Sequence, residues 1–559
     1  MGGCPWIPPL SLEGWLVAGA IALTSLWLLR SWLIRRSTEL APLYVPATDG
    51  WAIALCSVEL ILLTLHSLAV YWGFISPAVA VLIAGIVTMG AIAYRSWRHP
   101  SNWSIYALGW CLELLTAEGL GFIDRSILNL AIANLALGLI AQLIGDLWQR
   151  RAGIRNVPSS WHVIPLLYGI LGALLRWGTF ANWTGLSTLA LALIAIGVGR
   201  RRQEFKPLIY LALLGVSVSA YEVLLYQLSQ LSGGSTGDGL IVMAGLGTTI
   251  MYAYRVLSPW LIEYLHLTKE ELKAIAHLHW AWSSVLLIAA TTYQPQSLML
   301  GFGVGAFLVQ YAIFQGRNTP PQTPPSQEGA SDEGRNNPPP SQEVASDEGR
   351  NNPPPYQEGF WGGGEIWVYL GFLEAVGMRV YWLSLPVARL LSGPLGPWKG
   401  AIASVFAYFL FILPWERWGW SKRPWTVAAV AVPLIAFAES PMGNHPISLL
   451  IVAGYYVFFA ILNQQIRFTY ISALLIDWVL YRWFGHLGLR DSLWYVTPLA
   501  LSLLYIAQVD PNLKQPEQKP ARHLLRLLGS GAICVVALWS NQWSGLVPGA
   551  ISLLVILRG

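Results

Sequence analysis

The chain has 559 residues, of which 55% are hydrophobic and only 11% are charged, and its mean hydropathy is +0.51. This composition lies outside the range of soluble globular proteins and predicts an integral membrane protein. The formal net charge of +5 is small, so it does not indicate a nucleic-acid partner.

Apolar stretches long enough to cross a membrane recur from Trp15 to the C-terminus. A membrane-spanning helix needs about 20 such residues, whereas membrane β-barrels show alternating segments of about ten, a pattern that is absent from this sequence. We therefore predict an all-α protein, a polytopic integral membrane helical bundle. It is expected to contain about 19 transmembrane helices built from repeated helical hairpins.

The N-terminal segment MGGCPWIPPLSLEGW lacks the basic start and the small-residue cleavage site of a signal peptide. We therefore expect the first apolar stretch to be retained as a helix. The first predicted domain, residues 1–317, contains about eleven spans. These begin near Trp15, Trp51, Pro77, Trp103, Ile127, Trp161, Trp183, Pro207, Asp238, Ile275 and Gln296.

Residues 318–360 differ from the rest of the chain, because they are rich in Pro, Gln, Glu, Ser and Asn. Within them, SQEGASDEGRNNPPP (326–340) is followed directly by SQEVASDEGRNNPPP (341–355), a tandem copy with one substitution. Such a composition cannot bury an apolar core, so we predict a disordered cytoplasmic linker. Recognition of a PxxP-type segment is the functional alternative.

The second predicted domain, residues 361–559, contains about eight spans. These begin near Trp367, Gly400, Trp425, Ile447, Thr469, Ser492, Leu527 and Trp543. Most of the 34 Lys and Arg residues fall on one side of the membrane when the N-terminus is placed outside. Because basic residues accumulate in cytoplasmic loops, we expect the N-terminus outside and both the linker and the C-terminus in the cytoplasm.

Predicted spans that run from inside to outside carry a recurring acid near mid-depth, after similar flanking residues. Examples are WAIALCSVE ending at Glu59, IYALGWCLE at Glu113, WVYLGFLE at Glu374 and YISALLID at Asp477, with Glu222 as a looser fifth. An ionised carboxylate at the bilayer centre costs at least about 2.5 kcal/mol, so each acid must face the bundle, pair or bind a proton. The repetition indicates duplication of a two-helix hairpin.

Possible partners for the acids follow on the same helices. His66 lies two turns after Glu59 on the same face. VYLGFLEAVGMRVYWLSL (368–385) predicts one continuous span with an acid and Arg379 in its middle. Arg379 and Arg482 follow their acids by about 140° of helix rotation, so we expect them to reach neighbouring helices or, for Arg482, the outer interface. The candidate site residues are Glu59, His66, Glu113, Glu118, Glu222, Glu374, Arg379 and Asp477.

Other polar residues are expected to have structural roles. Asn129, Asn134 and Gln142 on the fifth predicted span are expected to hold helices together. His277 and His279 are expected at the membrane interface, and their i, i+2 spacing argues against a shared metal. The four cysteines form no close pair in the sequence, so we predict no disulfide framework, metal site or cofactor.

No metalloprotease, P-loop, serine-hydrolase or dinucleotide-binding motif occurs in a suitable context. We therefore assign no catalytic residues. The Trp-led hairpins quoted above and the final SGLVPGAISLLVILRG resemble those of large, uncharacterised multi-spanning proteins predicted chiefly in photosynthetic bacteria, in which this last hairpin continues further. The resemblance implies a bacterial cytoplasmic or thylakoid membrane, and it implies no activity.

Two functions from different classes fit this pattern. The first is a transporter or permease whose buried carboxylates line a polar route, although no inverted repeat or pair of Gly/Pro-broken helices is evident in the sequence. The alternative is a non-catalytic scaffold or assembly factor for other membrane proteins or lipids. An enzyme of lipid metabolism ranks third. The expected partners are the lipid bilayer and other membrane proteins, with no nucleic acid.

Overall fold

The computed structural model describes residues 11–36, 41–97, 101–152, 159–201, 203–231, 233–317, 364–439, 443–539 and 550. All the regular elements in these ranges are helices, which confirms the predicted all-α class. The predicted linker, residues 318–360, lies outside the described residues. The same holds for the start of the last predicted span, near Trp543. The chain divides into two compact units, Met1–Ser283 and Ser284–Gly559.

Within the described ranges, the first unit contains eleven α-helices, the last of which continues into the second unit. They are α1 (Leu12–Arg36), α2 (Ala41–Tyr71), α3 (Val79–Ser96), α4 (Asn102–Ile123), α5 (Ile127–Ala152), α6 (Ser160–Leu175), α7 (Thr184–Gly199), α8 (Lys206–Gln230), α9 (Thr236–Val256), α10 (Ser258–Leu265) and α11 (Lys269–Ala290).

The second unit contains ten further α-helices within the described ranges. They are α12 (Leu298–Gln315), α13 (Gly364–Gly377), α14 (Arg379–Leu383), α15 (Pro386–Ser392), α16 (Lys399–Ile412), α17 (Lys422–Glu439), α18 (Pro446–Asn463), α19 (Phe468–His486), α20 (Ser492–Val509) and α21 (Lys519–Trp539). Although α12 precedes the predicted linker, it packs against α13 and α14, which follow it.

Eleven of these helices are long and apolar enough to cross a membrane, namely α1, α2, α3, α5, α8, α9, α11, α12, α18, α20 and α21. The helices α6, α7 and α16 are apolar but shorter. Each predicted span from Trp15 to Leu527 overlaps a described helix, and α10, α14 and α15 are additional short helices. The number of helices that cross the membrane stays a prediction.

Two sets of four consecutive helices pack in a similar way. In the first group, α1–α4, helix α1 contacts α2 and α3, and α4 contacts both α2 and α3. In the second group, α5–α8, helix α5 contacts α6 and α7, and α7 contacts α8. Small residues allow these close contacts: a Cβ on Gly185 of α7 would lie 2.8 Å from the backbone oxygen of Ser219 on α8.

Aromatic residues form much of the core of the second unit. The Trp415 and Trp425 rings stack with their centroids 3.5 Å apart. Tyr455, Tyr456 and Phe459 of α18 are buried in the same cluster. The hydroxyl groups of both tyrosines donate to backbone carbonyls of α17. The two tyrosine side chains therefore contribute apolar area to the core while their hydroxyl groups stay hydrogen-bonded.

Candidate functional site

Four of the candidate acids occupy a similar level in their helices. Glu59, Glu113, Glu222 and Asp477 lie between about two and three and a half turns before the last residue of α2, α4, α8 and α19, respectively. Glu374 differs, because α13 ends at Gly377 and leaves this acid in the last turn.

Glu59 packs against a glycine of α1. Its side chain is 2% exposed, and a Cβ on Gly19 would lie 2.4 Å from Glu59 Oε2. The close approach of α1 and α2 therefore favours glycine at position 19. Glu59 Oε1 is buried with no hydrogen-bond partner among the described residues, which is a costly state for a carboxylate oxygen.

His66, which the sequence places two turns from Glu59, pairs instead with Glu118. The distance from His66 Nδ1 to Glu118 Oε2 is 3.3 Å. Glu118 Oε1 accepts a 2.9 Å hydrogen bond from the backbone N–H of Ala78, the residue that precedes α3. Glu118 therefore connects α2, α3 and α4. Spacing along one helix could not predict this contact, because it does not show which neighbouring helix a side chain faces.

Glu113 faces α5 on one side. Asn134 Nδ2 donates a 2.8 Å hydrogen bond to Glu113 Oε1, and both side chains are buried. This contact confirms that Asn134 holds two helices together. Glu113 Oε2 is buried and has no hydrogen-bond partner in the described part of the chain.

Glu113 also lines a cleft of about 190 Å³ between α2, α4, α5 and α6, which we call the Glu113 cleft. Its other walls are mainly apolar and include Trp72 and Trp110. These two rings are 69% and 42% exposed, so the cleft opens at the surface of the first unit.

Glu222 is half-buried where α7 meets α8. Thr188 Oγ1 donates a 2.5 Å hydrogen bond to Glu222 Oε2, and Arg176 Nη2 lies 4.0 Å from the same oxygen. A cleft of about 420 Å³, the Glu222 cleft, has Glu222 on its wall together with His279, Trp282 and several aliphatic side chains. This acid therefore has a cationic neighbour that Glu113 lacks among its described contacts.

His279 is buried inside the protein, and its predicted level at the membrane interface stays a prediction. It is 7% exposed, and its Nε2 lies 2.9 Å from Ser217 Oγ of α8. Its Nδ1 lies 2.9 Å from the backbone oxygen of Ile275. Helix α11 begins at Lys269, before the predicted start near Ile275, so His279 lies almost three turns inside the helix.

Two amides that were predicted to join helices make local side-chain hydrogen bonds. Asn129 Nδ2 donates to Asp124 Oδ2 at 3.1 Å, and Gln142 Nε2 donates to Asp146 Oδ1, one turn further along α5, at 3.2 Å. Gln142 contributes to helix packing through its backbone, because its carbonyl accepts a 3.1 Å hydrogen bond from Arg201.

The sequence did not predict the ion-pair cluster that we call the Asp146 clamp, formed by Asp146, Arg200 and Arg201. Arg200 Nη2 donates to Asp146 Oδ2 at 2.7 Å, and Arg201 donates to Oδ1 from Nε at 3.1 Å and from Nη2 at 2.8 Å. The Arg201 side chain is 4% exposed, and its Nη1 donates to the Trp161 carbonyl at 3.0 Å. The clamp therefore joins α5, α6 and the end of α7.

A second cluster, the Asp49 clamp, joins the first group and consists of Asp49, Arg30, Arg95 and Trp27. Arg95 forms two hydrogen bonds to the Asp49 carboxylate, each of 2.8 Å. Arg30 Nε lies 3.3 Å from Asp49 Oδ1, and Trp27 Nε1 donates to it at 3.2 Å. In the sequence, each clamp could have been suspected only from a lone aspartate. That aspartate lies close to the arginines from which the orientation of the chain in the membrane was predicted.

Glu374 and Arg379 lie on opposite sides of a helix break. Helix α13 ends at Gly377 and α14 begins at Arg379 after one non-helical residue, so the predicted continuous helix was wrong. Ser284 Oγ donates to Glu374 Oε1. Arg379 is 54% exposed, and its Nε lies 3.2 Å from Glu439 Oε1 of α17, which confirms that it reaches a neighbouring helix.

Asp477 is half-buried on α19 and lines a cleft of about 370 Å³ against α20, the Asp477 cleft. Thr497 and Trp494 stand on the opposite wall. Asp477 Oδ2 is buried without a hydrogen-bond partner among the described residues. Arg482 donates to the Asn444 carbonyl, just before α18, so this arginine also turns away from its acid.

Each candidate acid thus has its own neighbours. Glu113, Glu222 and Asp477 line different clefts, while Glu59 and Glu118 lie in helix contacts. The common polar route expected from their depth stays a prediction. In the described ranges, no three His, Cys, Asp or Glu side chains are grouped so that they could hold a metal ion.

Comparison with known proteins adds no further identification, since the chain matches no family model, no curated protein and no solved structure. The resemblance to multi-spanning proteins of photosynthetic bacteria therefore stays a prediction. The clefts and contacts described above are therefore the observations that bear on the function of the protein.

Proposed function

We propose that the protein is a non-catalytic membrane protein that binds amphipathic, lipid-like molecules in clefts between its helices. One observation carries the proposal: Glu113, Glu222 and Asp477 each stand on the wall of a separate cleft whose other walls are mainly apolar. A scaffold for lipids would use such sites, and none of them requires reactive chemistry.

The composition of the clefts supports a ligand with an apolar body and a polar head. Binding sites for small molecules are typically apolar, with a few polar groups that fix the orientation of the ligand. Trp72, Trp110, Trp282 and Trp494 line the three clefts and are between 42% and 69% exposed. Aromatic rings beside a carboxylate suit a positively charged head group, because the ring face and the acid both attract a cation.

The unpaired carboxylate oxygens support a head group that donates hydrogen bonds. Glu113 Oε2 and Asp477 Oδ2 are both buried without a partner among the described residues. Leaving such an atom without a hydrogen bond costs about 1–3 kcal/mol, and the cost is larger for a charged group. A small movement that brought a ligand ammonium N–H group to either oxygen would recover this cost and add to the affinity.

The proposal can be tested with a photoreactive long-chain alkylamine that carries a diazirine near its amine. The full chain, reconstituted in nanodiscs, would be irradiated with the probe, and labelled peptides would be identified by mass spectrometry. We expect labelling of α2 and α4 near Trp72 and Trp110 to fall at least fivefold in Glu113→Gln. Glu13→Gln is the matched control, because Glu13 is exposed and lies outside the clefts.

An alcohol of the same chain length, with the diazirine in the same place, separates the role of charge from that of the apolar walls. We expect its labelling to change less than twofold in Glu113→Gln. Equal labelling of wild type and Glu113→Gln by the amine would contradict the proposal. Protection of the same peptides by a co-purifying protein would show instead that the cleft holds a partner helix.

A transporter is the second candidate function, and the helix break favours it. Interrupted helices next to buried polar residues are common at the binding sites of secondary transporters, and α13 ends three residues after the buried Glu374. On this hypothesis, Glu374→Gln abolishes proton-coupled flux in proteoliposomes while the protein level stays unchanged. A fall in protein level without any separable flux would favour the scaffold.

A further inference from the structure

A polar pocket lies in the first unit where the end of α7, the start of α8 and the end of α10 meet. Its volume is about 560 Å³, and its polar walls are Arg200, Arg201, Lys206 and His266. We call it the basic pocket. The described residues that line it include no acid, so the potential inside it is set by cations.

Two carboxylates hold these cations in place from outside the pocket. Asp146 binds both arginines, and Lys206 Nζ donates a 2.7 Å hydrogen bond to Glu271 Oε1. Neither acid is among the lining residues. The acids therefore fix the positions of the basic side chains without closing the space in front of them.

The basic residues differ in how many donors they have left. Arg201 uses its guanidinium on Asp146 and on the backbone carbonyls of Gln142 and Trp161, so it serves as an anchor. Arg200 donates a hydrogen bond to Asp146 from Nη2, and Lys206 Nζ interacts with Glu271 and with the Tyr210 side chain. Their other N–H groups are available to an anion, since a guanidinium has five donors and an ammonium has three.

Helix α10 indicates the level of the pocket in the membrane. Trp260 and Tyr264 stack on this short helix with ring centroids 5.0 Å apart, and both rings are exposed. Tryptophan and tyrosine concentrate at the boundary between lipid and water. The Arg200 guanidinium lies over the Tyr264 ring, 4.9 Å from its centroid, an arrangement expected of a pocket at the depth of lipid head groups.

We propose that the basic pocket binds a phosphate group, supplied either by the head group of an anionic phospholipid or by a soluble phosphate compound. Arg200 and Lys206 provide charge-assisted hydrogen bonds to phosphate oxygens. The start of α8, at Lys206, adds the positive end of a helix dipole. Basic pockets between helices on the cytoplasmic side are common sites for anionic lipids. This inference does not depend on the three acid-lined clefts.

The lipid source is tested with the full chain in nanodiscs of phosphatidylcholine and phosphatidylglycerol in equal amounts. After transfer to detergent, native mass spectrometry counts the phosphatidylglycerol molecules that remain bound. We expect retention to fall about fivefold in Lys206→Gln, the effect of one basic residue near a charged membrane surface. Lys273→Gln is the matched control, because Lys273 is exposed on α11 and does not line the pocket.

The soluble source is tested by titrating inorganic phosphate into delipidated protein and following the midpoint of thermal unfolding. A rise in wild type that is absent in Lys206→Gln, without selective retention of phosphatidylglycerol, would support the site and assign it to a soluble phosphate compound. Arg200→Lys keeps the charge and should retain most of the binding in either assay, whereas Arg200→Gln should lose it.

The proposal is overturned if wild type and Lys206→Gln bind phosphatidylglycerol equally and also respond equally to phosphate. Circular dichroism and the unfolding midpoint without added phosphate confirm that the variants remain folded. His266→Ala is a second variant for the binding assays, because His266 lines the pocket and is exposed. We expect it to weaken phosphate binding less than Lys206→Gln does.

Discussion

The first and second groups of helices are tied at one end by the same kind of contact. In α1–α4, Asp49 binds Arg30 of α1 and Arg95 of α3. In α5–α8, Asp146 of α5 binds Arg201 near the end of α7. Each clamp joins the ends of the first and third helices of its group, so one aspartate between two arginines is a repeated way of fixing helix ends.

The two groups differ in the acids along their length. The first group buries Glu59, Glu113 and Glu118, and each of the three has an oxygen with no hydrogen-bond partner among the described residues. The second group has Glu222, which is half-buried and lies near Thr188 and Arg176. Unsatisfied buried groups lower stability and tend to occur at functional sites. We therefore expect the clamps to contribute mainly to stability, and we expect the first group to bind a ligand through Glu113.

Breaking the Asp146 clamp should have the largest effect. Asp146→Asn leaves the nearly buried Arg201 guanidinium without a charged partner, which is expected to cost about 3–5 kcal/mol. Asp49→Asn should cost about 1.5–3 kcal/mol, because its arginines are more exposed and lose charge-assisted hydrogen bonds that water can partly replace. Unfolding in mixed micelles measures both. If both variants lost the same stability, the deeper burial of Arg201 would not make the Asp146 clamp more important than the Asp49 clamp.

The contact between α1 and α2 should be the next most sensitive. Gly19→Ala places a Cβ 2.4 Å from Glu59 Oε2 and should destabilise the protein by about 1–3 kcal/mol through overpacking. Gly90→Ala on α3 is the control, because a Cβ there meets no atom within 4 Å. It should be neutral or stabilise the protein by up to about 1 kcal/mol.

A second substitution tests whether the Glu59 side chain causes this effect. The double variant Gly19→Ala with Glu59→Ala should recover most of the stability lost in Gly19→Ala, as measured by the same unfolding assay. If it does not, the clash involves the helix backbones, and the carboxylate of Glu59 has no special role in the packing of the first group.

The Glu113–Asn134 contact should give a smaller coupling. A double-mutant cycle with Glu113→Leu and Asn134→Leu is expected to give about 0.6–1.7 kcal/mol, the range measured for hydrogen bonds between membrane helices. Combined with the labelling test of Glu113→Gln, it separates structure from binding. A coupling as large as the cost expected for Asp146→Asn, about 3–5 kcal/mol, would mean that Glu113 is primarily a structural residue.

Removing residues 318–358 should have the smallest effect and sets the baseline for the comparison. Their composition cannot bury an apolar core, so the deletion should leave membrane integration intact and change stability by less than about 0.5 kcal/mol. Alkaline extraction of membranes measures integration. Loss of integration in the deletion variant would show that the linker is structural.

Helix positions were largely predictable from hydropathy, because a span needs a long apolar segment whatever its neighbours are. Ile127 and Ser492, two predicted starts, are the first residues of α5 and α20. The break after Gly377 was missed because a single glycine inside an apolar segment is tolerated in a helix. Beyond the break, the Tyr381 hydroxyl donates to the Leu287 carbonyl, a contact that the sequence does not specify.

The candidate site was predictable as a set of acids but not as a set of contacts. The pairing of His66 with Glu118 depends on the rotation of α2 and α4 about their axes, which one sequence does not specify. Asp49 and Asp146 were overlooked because they lie near the predicted ends of spans, where a charged residue needs no special explanation. Their importance follows from the two arginines that each one binds.

The short helices of the second unit have a consequence for the surrounding lipid. Helices α13 and α16 have 14 residues each, which gives a length of about 21 Å, whereas an average hydrocarbon core is about 30 Å thick. The break before α14 is stabilised internally, because Trp382 Nε1 donates to the Ala375 carbonyl. Where these helices cross the membrane, thinning of the adjacent bilayer is one response to the mismatch, and it would favour shorter acyl chains around this part of the protein.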